Sequence, residues 1–489
     1  MNNNSNFRQT LWLAIGQFCT FAISFVSAAI LSRYLDKVEY GTYKQILYIY
    51  VTLQSLFTMG LPSVFSYFIP RLEKGQQKKL VSSINKVFLI IGCGLSILIF
   101  VLSDCIAAIL ENPELSNGLK IFSVFPLFTL PTMGVEGIYT AIRKTKELAL
   151  YHIVSKIFML ICTVSPVIVI GANYKYAIIG WGGASFLTFM LAMYMKRRPY
   201  VGTEKKCIPN MYRDVFSYST PLLGAFIGGF IISLADQFYI SHYYGTIVFA
   251  DYSNGCVNIP IAIMITSSVK NVLLPLLSKA EAEGNLEQAF KTYQNAVIKS
   301  IVLVFPILIF CFIYSTEIMI FLYGDQYSTS AVYMKSFIIR EFTTILPYFS
   351  VLMALGMSKK YMNMHLWGAL YIWTFGWIIV QFKMEPYLIV VTHSIFYILC
   401  TIYAFVCVYK YHRIKLVTGD IGKVILKVTL NCLVCGYISF YLINVLLYEF
   451  SALCTLIVSG FLFYTLLLLT GKILNINYLE SIVLLVKKR

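Results

Sequence analysis

The sequence predicts an all-α polytopic membrane protein with 14 transmembrane helices, built as two six-helix repeat lobes with two further helices at the C-terminal end. Three observations carry this reading. First, 58% of the 489 residues are hydrophobic and only 12% are charged, which is too much apolar surface for a water-soluble globule to hide. Second, the apolar residues fall into runs of about 20, the length a helix needs to cross a bilayer. Third, a pattern met near residue 32 returns near residue 241.

Residues 9–32 contain no charge, which makes the first apolar run long enough to span and too long for a cleaved leader. Cutting the rest at charges, Pro and Gly places further spans at 46–69, 87–110, 121–142, 148–171, 176–195 and 215–240. The remainder fall at 255–278, 296–316, 331–356, 361–382, 387–409, 424–447 and 451–470. No connecting loop exceeds about 20 residues, so the function must reside in the helices. The longest, 196–214, divides an N-terminal lobe (1–196) from a C-terminal lobe (215–410) across a linker at 197–214, with an additional pair of helices and a basic tail at 411–489.

The formal net charge of +17 raises nucleic acid as a partner, but the basic residues sort by side. With the N-terminus inside, 27 Lys and Arg lie on inward loops and termini against 6 on outward loops: Arg33, Lys37, Lys44, Lys120, Lys175 and Lys383. That asymmetry puts both termini in the cytoplasm. The 12 cysteines are scattered through apolar segments, and the one C-x-x-C pair, Cys432 and Cys435, sits within a predicted span. Neither a disulfide framework nor a metal site is expected, and no cofactor is, beyond a coupling Na+ or H+.

The echo pairs SRYLDKVEYGTYKQ at 32–45 with SHYYGTIVFADYSN at 241–254, an offset of 209. At an offset of 213, TAIRKTKELALYH lies over MALGMSKKYMNMH, matching Ala141 with Ala354, Lys146 with Lys359 and His152 with His365. Six helices separate the copies, so they share one orientation. Internal repeats of this kind make the pseudo-symmetric scaffold on which many transporters alternate access.

Three stretches carry a resemblance to a known family: SRYLDKVEYGTY after the first helix, GLPSVFSYFIPRL closing the second, and FLYGDQYSTSA before the tenth. They resemble polysaccharide and O-antigen flippases of the Wzx type, in the multidrug/oligosaccharidyl-lipid/polysaccharide exporter superfamily. The resemblance implies a V-shaped, two-lobed bundle in the bacterial inner membrane that carries an undecaprenyl pyrophosphate-linked oligosaccharide across by alternating access. It also implies membrane lipid, a polysaccharide polymerase and chain-length machinery as partners. Two alternatives stand beside it: an ion-coupled multidrug or small-molecule exporter of the same superfamily, and a membrane sugar polymerase or glycosyltransferase. Acidic residues, which a cation exporter favours, are missing from the first helix, and the short outward loops leave little room for an enzyme's catalytic groups.

A lipid-linked diphosphate needs cations in a wet cavity, and intramembrane charge costs about 2.5–3.5 kcal/mol at a helix centre, so it seldom faces lipid. Lys156, Lys270 and Arg340 are the deep cations and the expected pyrophosphate ligands, Arg through its planar fork and Lys as point charges. The fourth segment carries Thr129, Thr132, Glu136, Thr140 and Arg143 at helical spacing, predicting one polar stripe. His152 and Lys156 share a face of the fifth. Asn258, Thr266 and Lys270 recur at multiples of four in the eighth, and Gln17 and Ser24 on the first offer uncharged partners for sugar hydroxyls. The competing expectation is charge pairing: Glu136 with Lys156, and Arg340 with Glu341, Asp236 or Asp104.

Overall fold

The computed structural model describes residues 3–58, 60–446 and 451–478, and among them every regular element is helical. The first half runs α1 (Asn3–Tyr34), α2 (Lys37–Thr58), α3 (Pro62–Phe68), α4 (Lys74–Ile109), α5 (Glu114–Phe122), α6 (Pro126–Thr129), α7 (Val135–Ala141), α8 (Thr145–Val169) and α9 (Tyr174–Arg197). Next come α10 (Met211–Tyr243), α11 (Gly245–Gly255), α12 (Pro260–Glu283), α13 (Leu286–Ile313), α14 (Ser315–Tyr323), α15 (Ser330–Thr344) and α16 (Tyr348–Ala354). The chain ends with α17 (Ser358–Gln381), α18 (Tyr387–His412), α19 (Gly419–Leu446) and α20 (Ala452–Ile473).

Each predicted apolar segment falls on a helix or on a helix that proline breaks. Among the described residues, 11 helical stretches are long and apolar enough to cross a membrane, and 12 if the pair 37–58 and 62–71, bent by 41°, counts as one. The protein is therefore a multi-pass membrane protein. The breaks follow from chemistry. A proline removes an amide donor and clashes with the preceding turn, and Pro62, Pro126, Pro131 and Pro347 each sit at one. At Gly134 the backbone takes φ +86°, where a Cβ would also enter the Phe65 ring; only glycine turns that corner at no cost.

By contacts the chain divides into two compact units, Met1–Ala250 and Asp251–Arg489. In the first, α1 packs along α8 and α8 along α9. The second contact is close because residue 180 is glycine: a Cβ there would lie 1.9 Å from the Cys162 carbonyl oxygen. The α10 helix, placed by the sequence reading in the second lobe, packs on α2 and α3: Tyr218 stacks on Tyr67 at 4.3 Å, and Ser241 accepts a hydrogen bond of 2.8 Å from Gln45. In the second unit α13 packs on α19 and α15 on α18.

The two halves also keep register. The α1 and α10 helices end at Tyr34 and Tyr243, 209 residues apart, with Ser32 and Ser241 buried at the same place in each. The α7 and α16 helices end at Ala141 and Ala354; α8 and α17 begin at Thr145 and Ser358; α9 and α18 begin at Tyr174 and Tyr387. All three intervals are 213 residues. The turn between the first two pairs is left-handed in both copies, at Arg143 (φ 58°) and Gly356 (φ 68°).

Candidate functional site

On α2, Tyr40, Lys44 and Leu47 are four and three residues apart and share one face; so do Ser24, Ser27 and Leu31 on α1 and Lys156, Met159 and Leu160 on α8. These three faces, with Trp181 of α9, enclose a cavity of ≈ 190 Å³ in the first unit. Two ammonium groups point into a space otherwise lined by hydroxyls, rings, aliphatic carbon and the Met159 thioether, and no carboxylate of the described residues lines it. The Lys44 Nζ lies 5.1 Å from the centre of the Tyr40 ring, and Ser27 Oγ is 3.5 Å from Thr163 Oγ1. Tyr40 and Tyr43 are buried, which fixes the wall that carries Lys44. Among the described residues no carboxylate comes within 4.0 Å of Lys44 or Lys156. A site with two cations and no internal counter-charge attracts an anion.

Lys156 and Ser24, both singled out from the sequence, line this cavity. Gln17 is exposed on α1, away from its lining, and His152 is half-buried on α8 with its ring against Tyr151. Glu136 is exposed on α7 and makes no ion pair with Lys156. The polar stripe expected on the fourth segment is not formed, because Pro126, Pro131 and Gly134 split that segment into short pieces and spacing along the chain no longer maps to one face. Thr132 instead donates to the carbonyl of Thr129 at 2.7 Å, and Thr129 bonds the Tyr50 hydroxyl. Asp236 is buried on α10; Asp104 pairs with Lys120 at 2.8 Å.

The other predicted residues belong to the second unit. Arg340 Nε lies 3.6 Å from Glu341 Oε1, and its guanidinium stacks 3.7 Å from the centre of the Phe337 ring. Glu341 is buried and also feels the charge of Lys270. Of the pairings weighed for Arg340, the one with Glu341 is formed. Asn258 leaves the predicted stripe: Pro260 opens α12, so Asn258 precedes the helix, and it is exposed. Proline favours the first helical turn and keeps the residue before it extended. The Thr266 hydroxyl donates to Ala262 O of its own helix at 2.9 Å.

Two lysines were assigned to loops by the sequence reading and are not there. Lys44 lies on α2 because that helix begins at Lys37, nine residues before the predicted span. Lys196, at the end of α9, is 1% exposed. It donates to Asn85 Oδ1 and Pro131 O, both at 2.8 Å, and to Met133 O, thereby satisfying carbonyls that the break in the fourth segment frees. Two prolines and a glycine within 126–134 were the available signal that a buried donor was needed.

A bundle of proline-broken apolar helices with a cationic pocket inside one unit defines the class, a multi-pass membrane protein. The chain belongs to the polysaccharide biosynthesis protein family, whose model matches residues 7–281. In fold it is similar to the lipid II flippase MurJ in an inward closed conformation, with a TM-score of 0.70 at 15% identity over 95% of this chain and 99% of that one. It is also similar to a MOP superfamily transporter from Pyrococcus furiosus, described as having a binding pocket of reverse polarity (TM-score 0.59, 11% identity, 82% and 94% coverage). A third likeness is the MATE transporter VcmN of Vibrio cholerae (TM-score 0.58, 13% identity, 84% and 97% coverage). No curated protein matches in a sequence search.

Proposed function

We propose that the protein is a flippase that moves an undecaprenyl pyrophosphate-linked oligosaccharide from the cytoplasmic to the periplasmic leaflet of the bacterial inner membrane. It does so by alternating access through 14 spans, counting α10 and α17, with both termini cytoplasmic. The observation that carries the reading is the cavity of Lys44 and Lys156, whose two cations have no carboxylate within 4.0 Å among the described residues. In this scheme the ammonium groups hold the diphosphate, the Ser24 and Ser27 hydroxyls meet polar groups beside it, and the polyprenyl tail stays in lipid. No bond is made or broken, so the protein is a carrier and not an enzyme.

Family membership supports the polysaccharide pathway, and the likeness to MurJ supports a fold able to carry a lipid-linked head. The likeness to MATE transporters favours a second reading, an ion-coupled exporter of small molecules, which a cavity rich in cations and lacking carboxylates serves poorly for cationic drugs. The test is depletion of the protein in its host, followed by mass spectrometry of the undecaprenyl-linked pool and a measurement of which leaflet exposes it. Accumulation of completed oligosaccharide facing the cytoplasm is the expected result. A pool of normal composition and sidedness would overturn the proposal in favour of the exporter.

A further inference from the structure

A second cavity, of ≈ 450 Å³, lies in the first unit where α4 and α9 meet the segment that follows α9. On α4, residues 78, 82, 85, 86 and 89 recur at helical spacing and present one face; α9 contributes Lys196 and Arg197, and the following segment Lys205. Five cations thus line the space with Ser82 and Asn85, and no carboxylate does. The pocket is built, not incidental. The segment 198–206 is strapped to α4 by Lys206 N donating to Gly75 O at 3.1 Å, by Lys78 Nζ donating to Thr203 O at 2.6 Å, and by Lys205 Nζ donating to Ser82 Oγ at 3.2 Å. An ion pair of 2.6 Å between Lys206 and Glu73 closes it.

Three of the five cations are therefore held by neutral oxygens. The side chains of Lys86 and Arg197 have no hydrogen bond and no carboxylate within 4.0 Å among the described residues. Leu89 and Val201 also line the cavity, and both are exposed, so an apolar surface adjoins the charge. Along α9, Lys196 lies 15 residues from Trp181 of the Lys44 and Lys156 cavity, about 22 Å at helical rise. The two cavities are thus separate. Their chemistry also differs, since here the charge meets an exposed apolar surface at the end of two long spans.

We infer that this pocket binds a phosphate-bearing anion, and that the apolar residues beside it fit it to the headgroup of an anionic phospholipid drawn from the surrounding bilayer. The phosphate sits between Lys86 and Arg197, and the acyl chains run over Leu89 and Val201. The inference does not depend on the transported substrate.

The test is native mass spectrometry of the purified full chain with phosphatidylglycerol, phosphatidylcholine and inorganic pyrophosphate as separate probes. The wild-type chain should retain phosphatidylglycerol in preference to phosphatidylcholine. The Lys86→Ala/Arg197→Ala variant should lose about 25-fold of that retention, taking each basic residue near an anionic lipid as worth about fivefold; Lys156→Ala should retain it. Equal retention of the two lipids by the wild-type chain would overturn the inference without recourse to any variant. So would unchanged retention in the double variant. Binding of pyrophosphate with no preference for phosphatidylglycerol would assign the pocket to a free anion and overturn the lipid as its source.

Discussion

The two halves of the chain share a frame and differ in where they put charge. Helix ends recur at intervals of 209 and 213 residues, yet at those offsets Lys44 falls over Ser253 and Lys156 over Ala369, while Arg340 and Glu341 fall over Leu127 and Phe128. In the first unit two lysines face a cavity with no carboxylate; in the second, an arginine is matched to a buried glutamate on the next residue. Repetition has kept the scaffold and not the chemistry. The first unit leaves two cations without a carboxylate neighbour among the described residues, whereas in the second Arg340 and Lys270 share the carboxylate of Glu341.

The largest expected effect breaks the comparison on its first side. Lys44→Ala and Lys156→Ala should each reduce transport by about 10- to 150-fold, the worth of a charge-assisted hydrogen bond of about 1.5–3 kcal/mol, with membrane abundance unchanged; surface glycan display against immunoblotted protein reads both. On the second side the pattern should invert. Arg340→Ala leaves the buried Glu341 without its partner and should lower abundance through a loss of about 1–3 kcal/mol of stability, and adding Glu341→Gln should restore it. Intact abundance with abolished display in Arg340→Ala would move that arginine into the substrate site and remove the asymmetry.

A packing change sharpens the same contrast. Gly180→Ala forces a methyl against the Cys162 backbone where α8 and α9 meet. It should cost about 1–3 kcal/mol, as overpacking does, visible as a lower Tm for the whole chain and a distorted wall beside Trp181. The smallest effect concerns the strap after α9. The hydrogen bond and charge of Lys206 hold the Glu73 carboxyl below the usual range, so the pair's contribution is complete above a pH of about 4.3, the ordinary value, and is lost as pH falls through the depressed one. Hydrogen exchange across 201–206 should rise only in that acid window. The segment 413–418, which follows α18 at the corresponding place, is the internal control.

Much of this was legible in the sequence because bilayer thickness and hydropathy leave little freedom: every predicted apolar segment has its helix, and the repeat register holds at both offsets. What spacing along the chain could not reveal was where helices break. Proline and glycine at 126–134 dissolved the stripe that joined Thr129 to Glu136, and Pro260 cut Asn258 from the face of Thr266. Helix starts were the other weakness. A charge cutoff ended the second span at Ile46, although the helix runs back to Lys37 and carries Lys44 into the cavity; the Tyr40 and Lys44 spacing was the sign of it. Lys196 was hidden for a related reason, since a lysine next to two arginines at a helix end reads as solvated until the broken segment beside it supplies carbonyls.

The asymmetry between the units is tested most directly by returning Lys44→Gln/Lys156→Gln to a host depleted of the native protein and measuring which leaflet exposes the lipid-linked oligosaccharide. The account predicts normal membrane abundance with the oligosaccharide trapped facing the cytoplasm. Normal sidedness in that double variant would contradict it and would send the search for the phosphate site to the second unit.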